Sequence, residues 1–309
     1  MRAKNGKKSA HFEELKKNSK MSETNLKTTA YFGKSCLLAT MHDKQKAISP
    51  SFSKILKLQI EVAKIDTDKL GTFTGEIERK ASALDCARKK CELAMNKTSF
   101  TIAIASEGSF GPHPFIPFIA CDHEILYFID REIGFHLHQS LLSSKTNYCM
   151  EAISNSKRLK EFADQVLFPS HGLIVRPNKS HGNLMIFKGI QSFDKLEEAF
   201  IKCCKASVDD LASVETDMRA HMNPTRMEVI KELADSLALR LATKCPSCYT
   251  PGWGIIGNKK GLECEMCGFE TEMVRSEIFG CAKCDYKETL SRQDGLTKSE
   301  AQYCPLCNP

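Results

Sequence analysis

Short apolar runs alternate with polar loops along most of this chain, and their periods predict both strands and helices. Tyr31 and Phe32, then Cys36 to Thr40, read as a buried strand region followed by a polar loop, Met41 to Lys46. Residues 49–59 read as a helix with Ile55, Leu56 and Leu58 inward, and Ile60 to Ile65 as a second strand. Ala83, Leu84, Ala87, Cys91, Ala94 and Met95 recur at three-to-four spacing and predict a helix over 79–96. Its inward groups are small enough to pack close to a sheet. Ile102 to Ala105 is a short strand that runs into a Gly/Ser loop over 106–114. Strands are expected at 124–130 and 132–138, a polar helix at 151–164, a β-pair at 173–175 and 184–187, and a helix at 194–206. Asn223 and Pro224 mark the N-cap and first turn of a last helix, with Ile230, Leu233, Leu237 and Leu241 in one stripe. Alternating strands and helices make the fold class α/β with a mixed sheet.

Three domains follow from this pattern. Residues 1–28 are polar and aperiodic, with eight Lys/Arg against three Glu, and read as a disordered basic tail. Residues 29–243 form the α/β body. Residues 244–309 form a small cysteine-rich region that follows the last helix with no linker, so it is expected to dock on the body.

Eight of the fifteen cysteines stand in that region as four CxxC pairs: Cys245/Cys248, Cys264/Cys267, Cys281/Cys284 and Cys304/Cys307. Each pair sets two thiolates at one tight turn, and two such knuckles complete a tetrahedral zinc site with no open position. Gaps of fifteen residues between the first two pairs and nineteen between the last two suit sequential pairing. Cross-bracing of first with third and second with fourth satisfies the same counts. Two structural zinc ions are therefore expected. Disulfides would need an oxidising compartment, and residues 1–28 contain no apolar signal segment. With seven further scattered cysteines, this points to a reducing cytoplasm.

Charge narrows the partners. Residues 240–309 hold nine Lys/Arg and nine Asp/Glu, so zinc-bound thiolates make the ribbon region acidic. Phosphate backbones need a positive surplus. A protein partner at the ribbons is expected ahead of nucleic acid. No run reaches the eighteen apolar residues of a membrane span, and no membrane partner is expected.

Several polar loops carry groups suited to a cation and phosphates: His42 and Lys44; Asp66, Asp68 and Glu76; Glu107; and the stretch from Glu215 to Arg226. In open α/β sheets such loops gather at the carboxyl ends of strands. The order of segments resembles the inosine triphosphate pyrophosphatase-like fold over about residues 35–240. Leu38 to Lys44 is similar to its first strand-to-loop turn, Asp85 to Cys91 to its acidic helix motif, Glu107-Gly108-Ser109-Phe110 to its D-S-G-L, Phe168 to Ile174 to a base-pocket strand, and Thr225-Arg226 to a terminal S-H-R. His42 and Cys86 stand where that family has Asn. The resemblance implies Mg²⁺ held by Asp85 and Glu107, and phosphates held by His42, Lys44, Lys90 and Arg226. Asp217 is the carboxylate expected to orient water.

The whole chain from residue 30 resembles an uncharacterised bacterial family. The likeness rests on Gly71 to Ile77, Ala105 to Pro114, Glu215 to His221, and Cys245-Pro246 to Pro251-Gly252-Trp253-Gly254. It implies a domain of unknown function with a cysteine-rich end. The expectation is a metal-dependent phosphohydrolase acting on a nucleotide or other phosphorylated small molecule. The rival is a non-catalytic nucleotide-, RNA- or protein-binding module with a zinc-ribbon docking domain.

Overall fold

The computed structural model describes residues 29–63, 81–180 and 185–309. The basic tail and the loop bearing Asp66, Asp68 and Glu76 lie outside the described residues.

The first sheet has the order β2-β1-β3-β4-β5, built from β1 (Ser35–Ala39), β2 (Gln59–Val62), β3 (Ile102–Pro112), β4 (Ala120–Asp130) and β5 (Phe135–Ser143). β2, β1 and β3 are parallel, and β3, β4 and β5 antiparallel. Helix α1 (Gln45–Leu56) joins β1 to β2, and α2 (Ala83–Met95) leads into β3 on the other side of β1. Alternation along the strands assigns the two faces. Cys36, Leu38, Ile102, Ile104, Leu126 and Phe128 pack with α1 and with α5 (Pro224–Ala242). Leu37, Ala39, Ala103, Ala105 and Tyr127 pack against Ala87, Cys91 and Ala94 of α2. The alanines and the cysteine let that helix approach closely, as the sequence pattern predicts.

Between β5 and α5 the chain builds a second layer pair. Strands β6 (Met150–Ile153), β7 (Leu173–Pro177), β8 (Phe187–Ile190) and β9 (Ala212–Thr216) form an antiparallel sheet of order β6-β9-β7-β8. Helices α3 (Ser156–Gln165) and α4 (Phe193–Ala206) cover one face through Leu159, Phe162, Leu196 and Phe200. The two split βαβ units interleave, since β9 separates β6 from β7 and β7 separates β8 from β9.

Two readings of the pattern change. The Gly/Ser stretch expected as a loop belongs to β3, which pairs with β4 from Ile102↔Asp130 to Pro112↔Ala120. Small residues on one strand accommodate bulky charged partners on the other, which no single-strand pattern shows. The N-terminal part of the expected helix at 151–164 is strand β6. Asn155 then caps α3 by accepting from Arg158 N at 2.9 Å.

The C-terminal sheet β10-β11-β12 comprises β10 (Gly254–Lys260), β11 (Val274–Gly280) and β12 (Lys287–Ser291), all antiparallel. One end docks on the body. Lys283 Nζ donates to Ile133 O at 2.7 Å and Arg240 Nε to Gly252 O at 3.1 Å. Gly252, with φ +102°, lies so close to Leu137 that a Cβ would sit 2.6 Å from Leu137 Cδ2.

Candidate functional site

The order β2-β1-β3 puts a topological switch point between β1 and β3, where the connections leave in opposite directions. Ligands of open α/β sheets sit beyond the strand ends at such a point. Here His42 (φ 63°) and Asp43 (φ 60°) take left-handed backbone conformations immediately after β1. Lys44 returns to the right-handed region as the N-cap of α1. A left-handed residue followed by a right-handed one points successive N–H groups into a common concavity suited to an anion. The α1 N-terminus has no side-chain cap and no acidic residue in its first turn. Its dipole is therefore not neutralised by its own turn.

Lys44 reaches across the end of β1 and is only 4% exposed. Its Nζ donates to Ser106 Oγ at 3.0 Å and lies 3.9 Å from Glu124 Oε2. On the same face of the sheet, Arg226 Nε donates to Glu124 Oε1 at 2.6 Å, and its Nη1 donates to Met218 O. The guanidinium lies 5.0 Å from the centroid of Phe110, which stacks on Tyr148. Gly108 is opposite Glu124 in the β3–β4 pairing. A Cβ there would lie 2.5 Å from Arg226 Nη2 and closer still to Glu124 Oε1. The glycine is what leaves room for the buried pair.

From the other face, Lys90 Nζ on α2 meets Glu107 Oε1 at 2.6 Å. Each flanking cation thus has its own carboxylate. Arg226 has Glu124, Lys90 has Glu107, and Arg219 has Asp217 at 2.6 Å. Lys44 shares a glutamate already taken. Burial, then the nearby Arg226, lowers its pKa to about 7, while Glu124 and Glu107 act in the opposite direction. A bound anion would favour its ammonium form.

Beneath it, Asp122 and Glu124 lie two apart on one face of β4, and both are fully buried. As a carboxylate, Asp122 has no donor for either oxygen. Burial, then Glu124, pushes its pKa up to about 8. The proton resolves the contradiction, because a protonated Asp122 donates to Glu124. The sequence reading missed Asp122, Glu124 and Ser106. Inward-facing acids two apart, within an otherwise apolar strand, were the available signal.

His42 stacks on His221 with ring centroids 5.0 Å apart. Burial, followed by His221, Arg219, Lys44 and Arg226, lowers its pKa to about 4, so the imidazole is neutral. Lys44 and Arg226 thus share Glu124 on the α1/α5 face, Lys90 and Glu107 pair on the α2 face, and His42 stands with His221 at the end of β1. Two expected residues take other places. Asp85 lies on the exposed side of α2, five positions from Lys90, where Ser82 Oγ donates to its carboxylate at 2.6 Å as the helix cap. Asp217 is buried and engaged by the Arg219 guanidinium and by the N–H groups of Arg219 and Gly189, at 3.1 Å each. It organises the turn before α5. The stretch Phe168 to Ile174 contributes His171, whose Nε2 accepts from Thr225 N at 3.3 Å at the head of α5.

The cysteines form two quartets, Cys245/Cys248/Cys281/Cys284 and Cys264/Cys267/Cys304/Cys307. Pairing is cross-braced, not sequential. Cys245–Cys284 and Cys248–Cys281 sulfurs are 3.8 and 3.5 Å apart, and Cys264–Cys307 and Cys267–Cys304 3.9 and 3.6 Å. A tetrahedron with ~2.3 Å zinc–sulfur bonds has edges of about 3.8 Å. The quartets fit that geometry and could each hold a structural zinc. The reason for the pairing is the sheet. Seven residues of β10 extend over roughly 20 Å, so the first and second knuckles stand at opposite ends, and each antiparallel return brings the chain back to the earlier end.

Fold and site define a mixed α/β protein with buried ion pairs on both faces of its first sheet, beside the switch point, and two four-cysteine clusters in a cross-braced terminal sheet. The model of one family, a domain of unknown function (DUF6671), matches residues 90–309, and the chain belongs to that family. No curated protein matches the chain. Among the described residues, no helix is long and apolar enough to cross a membrane.

Proposed function

We propose that the switch point between β1 and β3 binds a phosphorylated small molecule of the nucleotide class. The observation that carries the reading is Lys44: a buried amine that donates to Ser106, 3.9 Å from a glutamate already held by Arg226, at a switch point, heading an uncapped helix. Lys90 and Arg226 flank it with their charges already balanced, so they orient the anion and Lys44 supplies the net attraction. The neutral His42 imidazole can donate one further hydrogen bond. The resemblance of Leu38 to Lys44 and of Glu107 to Phe110 to pyrophosphatase-fold motifs supports the same ligand class. Hydrolysis is the second reading, favoured by the Glu107 carboxylate, whose charge acts on Lys44. With Asp85 turned outward, a Mg²⁺ ion would draw on Glu107 and the ligand's own phosphates, and the zinc clusters would serve stability and docking.

Thermal shift and equilibrium dialysis with nucleoside mono-, di- and triphosphates, with and without Mg²⁺, test both readings. Binding with an upward shift in Tm is expected for at least one, lost in Lys44→Met, while phosphate or pyrophosphate release scores hydrolysis. Wild-type protein that gains no stability from any member of the panel would remove the proposal. Lys44→Met should itself be as stable as wild type or a few degrees more so, since replacing a buried charge by a well-packed apolar group is often stabilising.

A further inference from the structure

The hairpin that links β3 to β4 carries two phenylalanines that are 85% (Phe115) and 88% (Phe118) exposed, the highest exposures of large apolar side chains among the described residues. They lie beyond the last paired residues, Pro112 and Ala120. The tip is ordered by its own backbone. His113 N donates to Ile119 O at 2.7 Å, Ile116 N to His113 O at 3.2 Å, and Ile119 N to Ile116 O at 3.0 Å. Phe115 N donates to His113 Nδ1 at 3.2 Å. Pro114 and Pro117 limit it further. The phenylalanines are thus presented on a preformed scaffold and do not fold back onto the protein.

Charge is what selects the occupant. From Gly108 to Cys121 the chain has no Asp, Glu, Lys or Arg. A nucleic acid that stacked on these rings would also need cations along its backbone, and the tip offers none. Size argues against a second protein surface. At roughly 200 Å² per fully exposed ring, the two phenylalanines offer about 350 Å², under half of the ~800 Å² per partner of a stable protein interface. A small, rigid, uncharged and apolar tip suits insertion at the headgroup–acyl boundary of a lipid bilayer, where peripheral elements bury phenylalanine and other apolar side chains. Such insertion needs no spanning helix, and so departs from the expectation that membranes play no part.

We propose that the Phe115–Phe118 hairpin tip is a peripheral membrane-insertion element that recognises lipid through its acyl and interfacial zone and not through headgroup charge. The test uses the full chain with vesicles of neutral phosphatidylcholine, alone or with one-third phosphatidylglycerol. Wild-type protein is expected to co-sediment with both compositions, and 0.5 M NaCl should leave the bound fraction unchanged. Phe115→Ser combined with Phe118→Ser should reduce partitioning at least tenfold at unchanged Tm. A single Phe118→Trp variant gives a reading that does not depend on that pair folding: its added indole fluorescence should shift to the blue on neutral vesicles and be quenched by brominated acyl chains. Any one of three results overturns the proposal: no sedimentation with neutral vesicles, binding that requires phosphatidylglycerol and vanishes in salt, or an indole that stays solvent-exposed on vesicles. A protein partner captured through the same tip, in the absence of lipid binding, would reassign it to a protein interface.

Discussion

Gly108 and Asp122 show how far the buried ion pairs depend on single residues. The glycine faces Glu124 across the strand pair and leaves no space for a methyl group. Both neighbouring side chains are fully buried and bonded, so neither can swing into solvent. Gly108→Ala is expected to cost about 3 kcal/mol, the range for breaking a buried charge pair, measured as a fall in denaturant midpoint at unchanged m-value. Asp122 sets a pH dependence. The folded protein keeps its proton up to about pH 8, whereas the unfolded chain releases it near the ordinary value of 3.8. The unfolded state therefore gains as pH rises, and the contribution to stability is fully present below about pH 4 and lost progressively up to about pH 8. The slope is at most about 1.4 kcal/mol per pH unit. Asp122→Asn, which mimics the protonated acid, should flatten the profile and raise Tm relative to wild type at pH 8 and above. A wild-type profile already flat between pH 5 and 8, matched by the variant, would show that Asp122 ionises at its ordinary value.

Among the elements, the ribbon sheet makes the sharpest prediction. One quartet stands at the docked end, beside Lys283, Gly252 and the body; the other stands at the far end, beyond the length of β10. Purified protein should hold two zinc ions. Cys264→Ser with Cys304→Ser should remove one of them and loosen the far end, leaving the main thermal transition nearly in place. Cys245→Ser with Cys281→Ser should remove the other and lower that transition, because α5 and β5 lose their cover at Leu137 and Phe135. Metal analysis distinguishes the two pairings, since under sequential pairing either double variant would damage both sites. The hairpin of β3 and β4 gives a second lesson at this scale. Its glycines and serines read as a loop, yet cross-strand partners on β4 draw Ser106, Glu107 and Gly108 into the sheet. Local propensity lost to pairing that only the neighbouring strand supplies.

The whole molecule joins three sheets through one helix. α5 enters from the second layer pair, seats Arg226 against Glu124, lines the first core with Ile230, Leu233 and Leu237, and delivers the chain to the first knuckle. That continuity explains why the Glu215-to-Arg226 stretch is so dense in charge. It carries three separate ion pairs, Glu215–Arg176, Asp217–Arg219 and Glu124–Arg226, at a junction of layers.

Periodicity, caps and cysteine spacing are local properties, so the chain alone determined α2, α4, α5, the α/β class and the eight cysteines that could hold metal. Lys44, Lys90, Glu107 and Arg226 were nameable as candidates for the same reason, being charged residues beside apolar strands. Their division between the two faces of the sheet, the outward turn of Asp85, the structural use of Asp217 and the raised pKa of Asp122 depended on which strands neighbour one another. Knuckle pairing did too. Strand order, sheet face and register are set by contacts between residues far apart in the chain, and a one-residue change of register would have turned every one of these side chains to the opposite face.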